Sequence, residues 1–145
     1  MADTIFHNIL TEALKGNLDF DGDTIKVVLV TDSYTPDADD TQYSDVSANE
    51  VANGNGYTTG GYTVALTVTD DDANDRVVID SADPTWTASG GSIGPFRYAI
   101  WYDDTHGSDL LLYCFDFGSN QTANDGATIT VTVSANGLFR INPPT

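Results

Sequence analysis

Basic residues are scarce in this chain: 5 Lys and Arg stand against 22 Asp and Glu in 145 residues, a formal net charge of −17. Lys15, Lys26, Arg76, Arg97 and Arg140 are scattered and make no cluster. Recognition of phosphates needs Lys and Arg, so the composition argues against a nucleic-acid partner. Cysteine occurs once, at Cys114, which excludes an internal disulfide and a cysteine-built zinc site. Histidine occurs only at His7 and His106, far apart in the chain, so there is no His-rich metal set. No apolar run approaches the roughly 20 residues that span a bilayer as a helix, and no membrane partner is expected. Met1-Ala2-Asp3 lacks the basic start and apolar stretch of a secretory signal. Glutamate is nearly missing too: twenty acids are Asp, and only Glu12 and Glu50 are Glu. Asp favours turns and caps where Glu favours helices, so the imbalance signals loops as much as charge. The acidity reads first as a solubilising surface. Adaptation to high salt and docking on a basic partner are the other readings.

What is present is β pattern. Phe96-Arg97-Tyr98-Ala99-Ile100-Trp101-Tyr102 and Leu110-Leu111-Leu112-Tyr113-Cys114-Phe115-Asp116-Phe117 flank a turn-rich linker, Asp103 to Asp109. This predicts an antiparallel hairpin around which the chain is organised. Strict alternation puts Phe96, Tyr98, Ile100 and Tyr102 on one face, and Ala99 and Trp101 on the other. Strands apolar on both faces are covered on both. One cover is the core. The other is the N-terminal helix, a long loop or a second chain, and the helix is the first choice. That helix is predicted over 4–15, from the stripe Ile5, Phe6, Ile9, Leu10, Ala13 and Leu14, with Gly16 as its stop.

Further strands are expected at Ile25–Thr31, in a central position, and at Tyr62–Thr69, Arg76–Asp80, Thr85–Thr87, Thr128–Val133 and Leu138–Ile141. The fold class is therefore mainly β: a single domain, 1–145, forming an antiparallel β-sandwich of about eight strands with one N-terminal amphipathic helix. A jelly-roll path is one way to connect it. Residues 32–61 read as a long irregular loop with a short helical turn near Ser44–Val51 and glycines at 54, 56, 60 and 61. Loops of that length in compact domains usually bind or touch something.

The chemistry is mostly negative. Asp19, Asp21 and Asp23 alternate like a calcium loop, but Gly22 is fourth from Asp19 where the pattern needs glycine sixth, and Val30 is twelfth where it needs glutamate, so a turn is the better reading. Asp70, Asp71, Asp72 and Asp75 form the densest acidic run. They are the candidates for a surface calcium site, calcium being the one cofactor the sequence suggests, though a solvated hairpin turn is the simpler reading. With Asp so abundant in loops, neighbouring carboxylates carry no specific signal of glycoside chemistry. No catalytic residues are assigned, and no enzyme is expected. Tyr34, Tyr57, Tyr62 and Trp86 are the interface candidates. Tyr57, Tyr62, Trp86 and Trp101 would also serve a carbohydrate- or cell-surface-binding sandwich, calcium-dependent or not, which is the alternative function, although core packing is the better reading of Trp101.

The order of motifs carries a resemblance. An Ile-Phe-x-x-Ile-Leu start is followed by Asp23-Thr24-Ile25-Lys26-Val27-Val28-Leu29 and Ser33-Tyr34-Thr35-Pro36. Then come Ser44-Asp45-Val46, Asn49-Glu50-Val51 and Gly56-Tyr57-Thr58-Thr59-Gly60-Gly61, and finally Trp86, Ile100-Trp101-Tyr102-Asp103 and Asp116-Phe117-Gly118. This succession, from about Phe6 to Ile141, resembles a family of small virion structural proteins of tailed bacteriophages. The resemblance implies a virion structural protein, a capsid decoration or cement protein first and a neck or tail component second. It implies contacts with the major capsid protein or other virion proteins, a homo-oligomer, and residence in the virion after synthesis in the host cytoplasm. The chain departs from the family's pattern in its acidity and in Gly94-Pro95 ahead of Phe96.

Overall fold

A computed structural model describes residues 3–143. In chain order these residues form β1 (Thr4–Ile5), α1 (Asn8–Leu14), β2 (Ile25–Val30), β3 (Tyr62–Val64), β4 (Leu66–Asp71), β5 (Arg76–Ser81), β6 (Thr85–Thr87), β7 (Ile93–Asp103), β8 (Leu110–Ala123), β9 (Thr128–Thr130) and β10 (Phe139–Ile141). Every strand pairing is antiparallel. The fold is mainly β, as expected. The strands make a five-stranded sheet in the order β1-β8-β7-β2-β3, a three-stranded sheet β10-β5-β4 and a pair β6-β9. These orders differ from the two-sheet, eight-strand arrangement of a jelly roll.

The β7–β8 hairpin is central, and β2 lies inside the sheet between β7 and β3. One face of the large sheet packs on the two smaller sheets. Val27, Leu29, Trp101 and Leu112 meet Leu66, Ile79, Trp86 and Phe139 in the main core. The Trp101 indole is fully buried and donates its N–H to Ser81 Oγ at 2.9 Å, so its polar atom is satisfied inside the core. The opposite face carries Val28, Val30, Tyr98, Ile100, Tyr102, Leu111 and Cys114. Its cover is the long loop, through Tyr34, Tyr43 and Val46, with Phe6 at one end.

Several expectations need correction. The helix does not cover that second face: Ile9 and Ala13 pack into the main core, while Leu10 and Leu14 are exposed. Nor does it span 4–15. Thr4 and Ile5 pair as a strand with Cys114 and Tyr113 at the edge of β8, which shortens the helix to Asn8–Leu14. Asp3 tethers this edge, accepting the Asp116 N–H at 2.9 Å and the Tyr113 hydroxyl at 2.5 Å. The count rises from eight strands to ten because β1 is added and the 62–69 run divides. At Ala65 the chain leaves the large sheet, where β3 pairs with β2, and enters the small one, where β4 pairs with β5.

Phe96 also changes sides. The β7–β8 ladder slips between Phe96 and Tyr98, so Phe96 joins the main core while Tyr98, Ile100 and Tyr102 face the loop. A second slip pairs Trp101 with Tyr113 and Tyr102 with Leu111, and both Leu112 and Tyr113 fall on the core side. An extra residue in one strand breaks the two-residue period on which face assignment rests.

Candidate functional site

The 32–61 segment is a built surface rather than a slack loop. Its backbone is stitched to the large sheet: Thr31 N–H to Asn49 O at 2.9 Å, Val51 N–H to Leu29 O at 3.0 Å, Leu111 N–H to Thr41 O at 3.0 Å and Tyr43 N–H to Asp109 O at 2.9 Å. The expected helical turn is present as two 3-10 turns, Tyr43–Asp45 and Ser47–Asn49. Glu50 sits at the hub. One carboxylate oxygen accepts the Tyr57 hydroxyl at 2.6 Å and the Gly60 N–H at 2.8 Å, and the other accepts the Tyr43 hydroxyl. Tyr57 in turn accepts the Leu29 N–H at 3.1 Å, tying the hub to β2. Tyr102 donates to Gly60 O at 2.7 Å and stacks on Tyr43 with ring centroids 4.7 Å apart. Burial first, and the facing Glu50 second, push the Tyr43 and Tyr57 phenols well above their usual range, so both stay neutral donors. Glu50 was missed as a key residue in the sequence. The signal was there: one of two glutamates, with a tyrosine seven residues to either side.

The interface candidates divide. Tyr34, Tyr57 and Trp86 are buried within the chain, and only Tyr62 of the four is open, at 42% exposure. Tyr34 donates to Asp40 Oδ2 at 2.7 Å and packs edge-on to Tyr98. Trp86 packs against Tyr57 and Tyr62 beneath the loop. Tyr34 packs inside the cover and Tyr57 and Trp86 in the main core, so these three rings are not surfaces for a partner or a sugar. A buried ring edge cannot be told from a binding ring by residue type alone.

The acidic run 70–75 forms the β4–β5 turn. Asn74 foremost, then Arg76 at 2.6 Å, hold the Asp71 carboxyl below its ordinary range. Asp75 takes a left-handed φ of 49°, as turn aspartates do. Among the described residues no three His, Cys, Asp or Glu converge as a metal would need. Lys15, Lys26, Arg76 and Arg97 each lie against a carboxylate of this chain, so these cations are neutralised internally.

A polar knot lies where the turn before β2 meets the β7–β8 loop. Thr24 N–H donates to Thr105 Oγ1 at 2.8 Å, Asp104 N–H to Thr24 O at 2.9 Å, and Lys26 pairs with Asp104 at 2.8 Å. Asp103 is fully buried. Its Oδ1 accepts the Thr105 and His106 N–H groups, whereas Oδ2 meets no donor and has another carboxylate, Asp23, for a neighbour. Burial foremost, with Asp23 added, pushes Asp103 up to about 6. Protonation of Asp103 supplies the missing donor between them.

Two further features have the form of a site without its contents. A cavity of about 130 Å³ opens beside Trp101, lined by Asp3, Tyr113, Phe115, Val131 and Leu138. That is below the roughly 300 Å³ at which small-molecule pockets begin. The spelling Gly-x-Ser-x-Gly occurs at Gly90-Gly91-Ser92-Ile93-Gly94. A nucleophile elbow needs a strand, a sharp turn and a helix; here exposed Ser92 runs straight into strand β7, and its carbonyl accepts the Asn55 side chain. No helix among the described residues is long and apolar enough to cross a membrane. Compared with protein-family models, curated proteins and solved structures, the chain matches none of them.

Proposed function

We propose that this chain is a structural subunit of a tailed-phage particle, most simply a protein that decorates or cements the capsid shell. The supporting observation is the ordered series of motifs that resembles such virion proteins, together with what those motifs do here. Ser33-Tyr34-Thr35-Pro36, Asn49-Glu50-Val51 and the Gly56–Gly61 stretch supply Tyr34, Glu50, Tyr57 and Gly60, which lock the 32–61 cover onto the large sheet. The motifs thus go into a rigid body with a fixed outer surface, which is what a shell-binding subunit presents to its neighbours. Acidic loops keep the remaining surface hydrated.

The test is immunogold labelling of particles purified from the phage or prophage whose genome carries this gene. Regular labelling over the head is the expected result. Labelling confined to the neck or tail moves the subunit there, and purified particles lacking the chain overturn the reading.

A further inference from the structure

β4 is the last strand of the β10-β5-β4 sheet, and Thr67, Val68, Thr69 and Asp70 along it are all exposed. The direction of its backbone groups follows from its neighbour's bonds. Ile79 of β5 turns its carbonyl toward β10, where the Leu138 N–H donates to it at 2.8 Å. In an antiparallel strand the N–H and C=O of one residue point the same way, and the direction alternates along the chain. Val78 and Asp80 therefore turn toward β4, and their register partners Thr69 and Thr67 turn toward β5. The Ala82 N–H donating to Ala65 O at 3.0 Å continues the same alternation. Val68 and Asp70 are left with their N–H and C=O directed outward, where no strand lies among the described residues.

An edge of Thr and Val with unused donors and acceptors pairs readily with another strand. Its side chains select the partner. Val68, opposite Ile79, is 42% exposed, and Asp70 follows on the same face two residues on. Asp70, Asp72 and Asp75 line a groove with Arg76, Val77 and Pro143, and Arg76 is already paired with Asp71 at 2.6 Å, so the three aspartates leave the groove acidic. A second copy of this chain would bring a further −17 to that edge, so self-pairing is opposed by charge. We propose that β4 is a docking edge for an extended segment of a basic protein, which sets an apolar side chain over Val68 and Lys or Arg beside Asp70, Asp72 and Asp75. The added strand forms main-chain bonds with Val68 and Asp70, and the charges fix its register.

This goes beyond the shell reading and is tested without a particle, so either can fail alone. The probe is a synthetic peptide of about seven residues in which threonine alternates with valine, lysine and lysine, titrated into the 15N-labelled full chain at low salt. The Val68 and Asp70 amide signals are expected to shift and their hydrogen exchange to slow, and the same peptide with Glu for Lys is expected not to bind. Val68→Pro removes an outward N–H while sparing the β4–β5 ladder, and weakens binding by about tenfold or more. If proline loosens the hairpin, Asp70→Lys leaves the backbone intact and is expected to weaken binding to a similar extent. Absence of binding, shifts confined to other strands, or equal affinity for wild type and Asp70→Lys overturns the proposal.

Discussion

Glu50 shows how one side chain can hold a thirty-residue cover in place. Three donors converge on its carboxylate, from Tyr43, Tyr57 and the Gly60 backbone. Glu50→Gln keeps the volume but removes the charge and one of the two acceptor oxygens that these three donors share. It is expected to cost about 1–3 kcal/mol, read as a lower urea midpoint; an unchanged midpoint would show that the hub carries little. Trp101→Ala removes the largest fully buried side chain and the bond its indole donates to Ser81, with an expected cost of about 3–5 kcal/mol. Asp103 works in the opposite sense. Its carboxyl titrates near its ordinary value when unfolded and at about 6 when folded. Between the two the folded chain holds a proton that the unfolded chain has lost, so stability falls as pH rises through that window. The benefit is complete below the ordinary carboxylate value and gone above about 6. Asp103→Asn is therefore expected to raise the melting temperature at pH 7 and to change it little near pH 4. Asp23 is only half-buried and water reaches it, so the gain is on the order of 1–2 kcal/mol rather than the full value of the shift.

Among elements, the β7–β8 hairpin is where face assignment from alternation succeeds and then breaks. Tyr98, Ile100 and Tyr102 share a face as alternation requires, but the ladder slips send Phe96 and both Leu112 and Tyr113 to the core. A bulge leaves no mark in hydrophobic pattern, since apolar residues occupy either side of it. The helix is shorter than its apolar stripe for a related reason. Thr4 and Ile5 suit the first turn of a helix, where Ile5 opens the apolar stripe, as well as an edge strand on β8, and only the proximity of β8 decides. The junction of the loop with β3 depends on Gly61. It holds φ +86°, and a Cβ there would lie 2.0 Å from the Val27 carbonyl oxygen. Gly61→Ala combines strain with a clash against backbone and is expected to cost more than about 2 kcal/mol, with β3 detaching from β2 first in hydrogen exchange.

At the scale of the whole molecule the charge dominates. With −17 on 145 residues, self-repulsion opposes compaction, and added salt screens it. The melting temperature is expected to rise by several degrees between about 0.05 and 1 M NaCl; a flat response would mean that the carboxylates are spaced widely enough to ignore one another. Composition and periodicity by themselves determined the β class, the antiparallel hairpin at the centre, the internal place of β2 and the positions of most strands. Those features follow from side chains acting on their own few neighbours, through β-branched propensity, two-residue alternation and turn chemistry. The tertiary structure alone decided which segment covers the second face, which aromatics are buried, where the register slips and which carboxylates meet. Each of these depends on groups far apart in the chain arriving at one point, as Glu50 does with β2 and Asp103 with Asp23, and no local pattern records such a meeting.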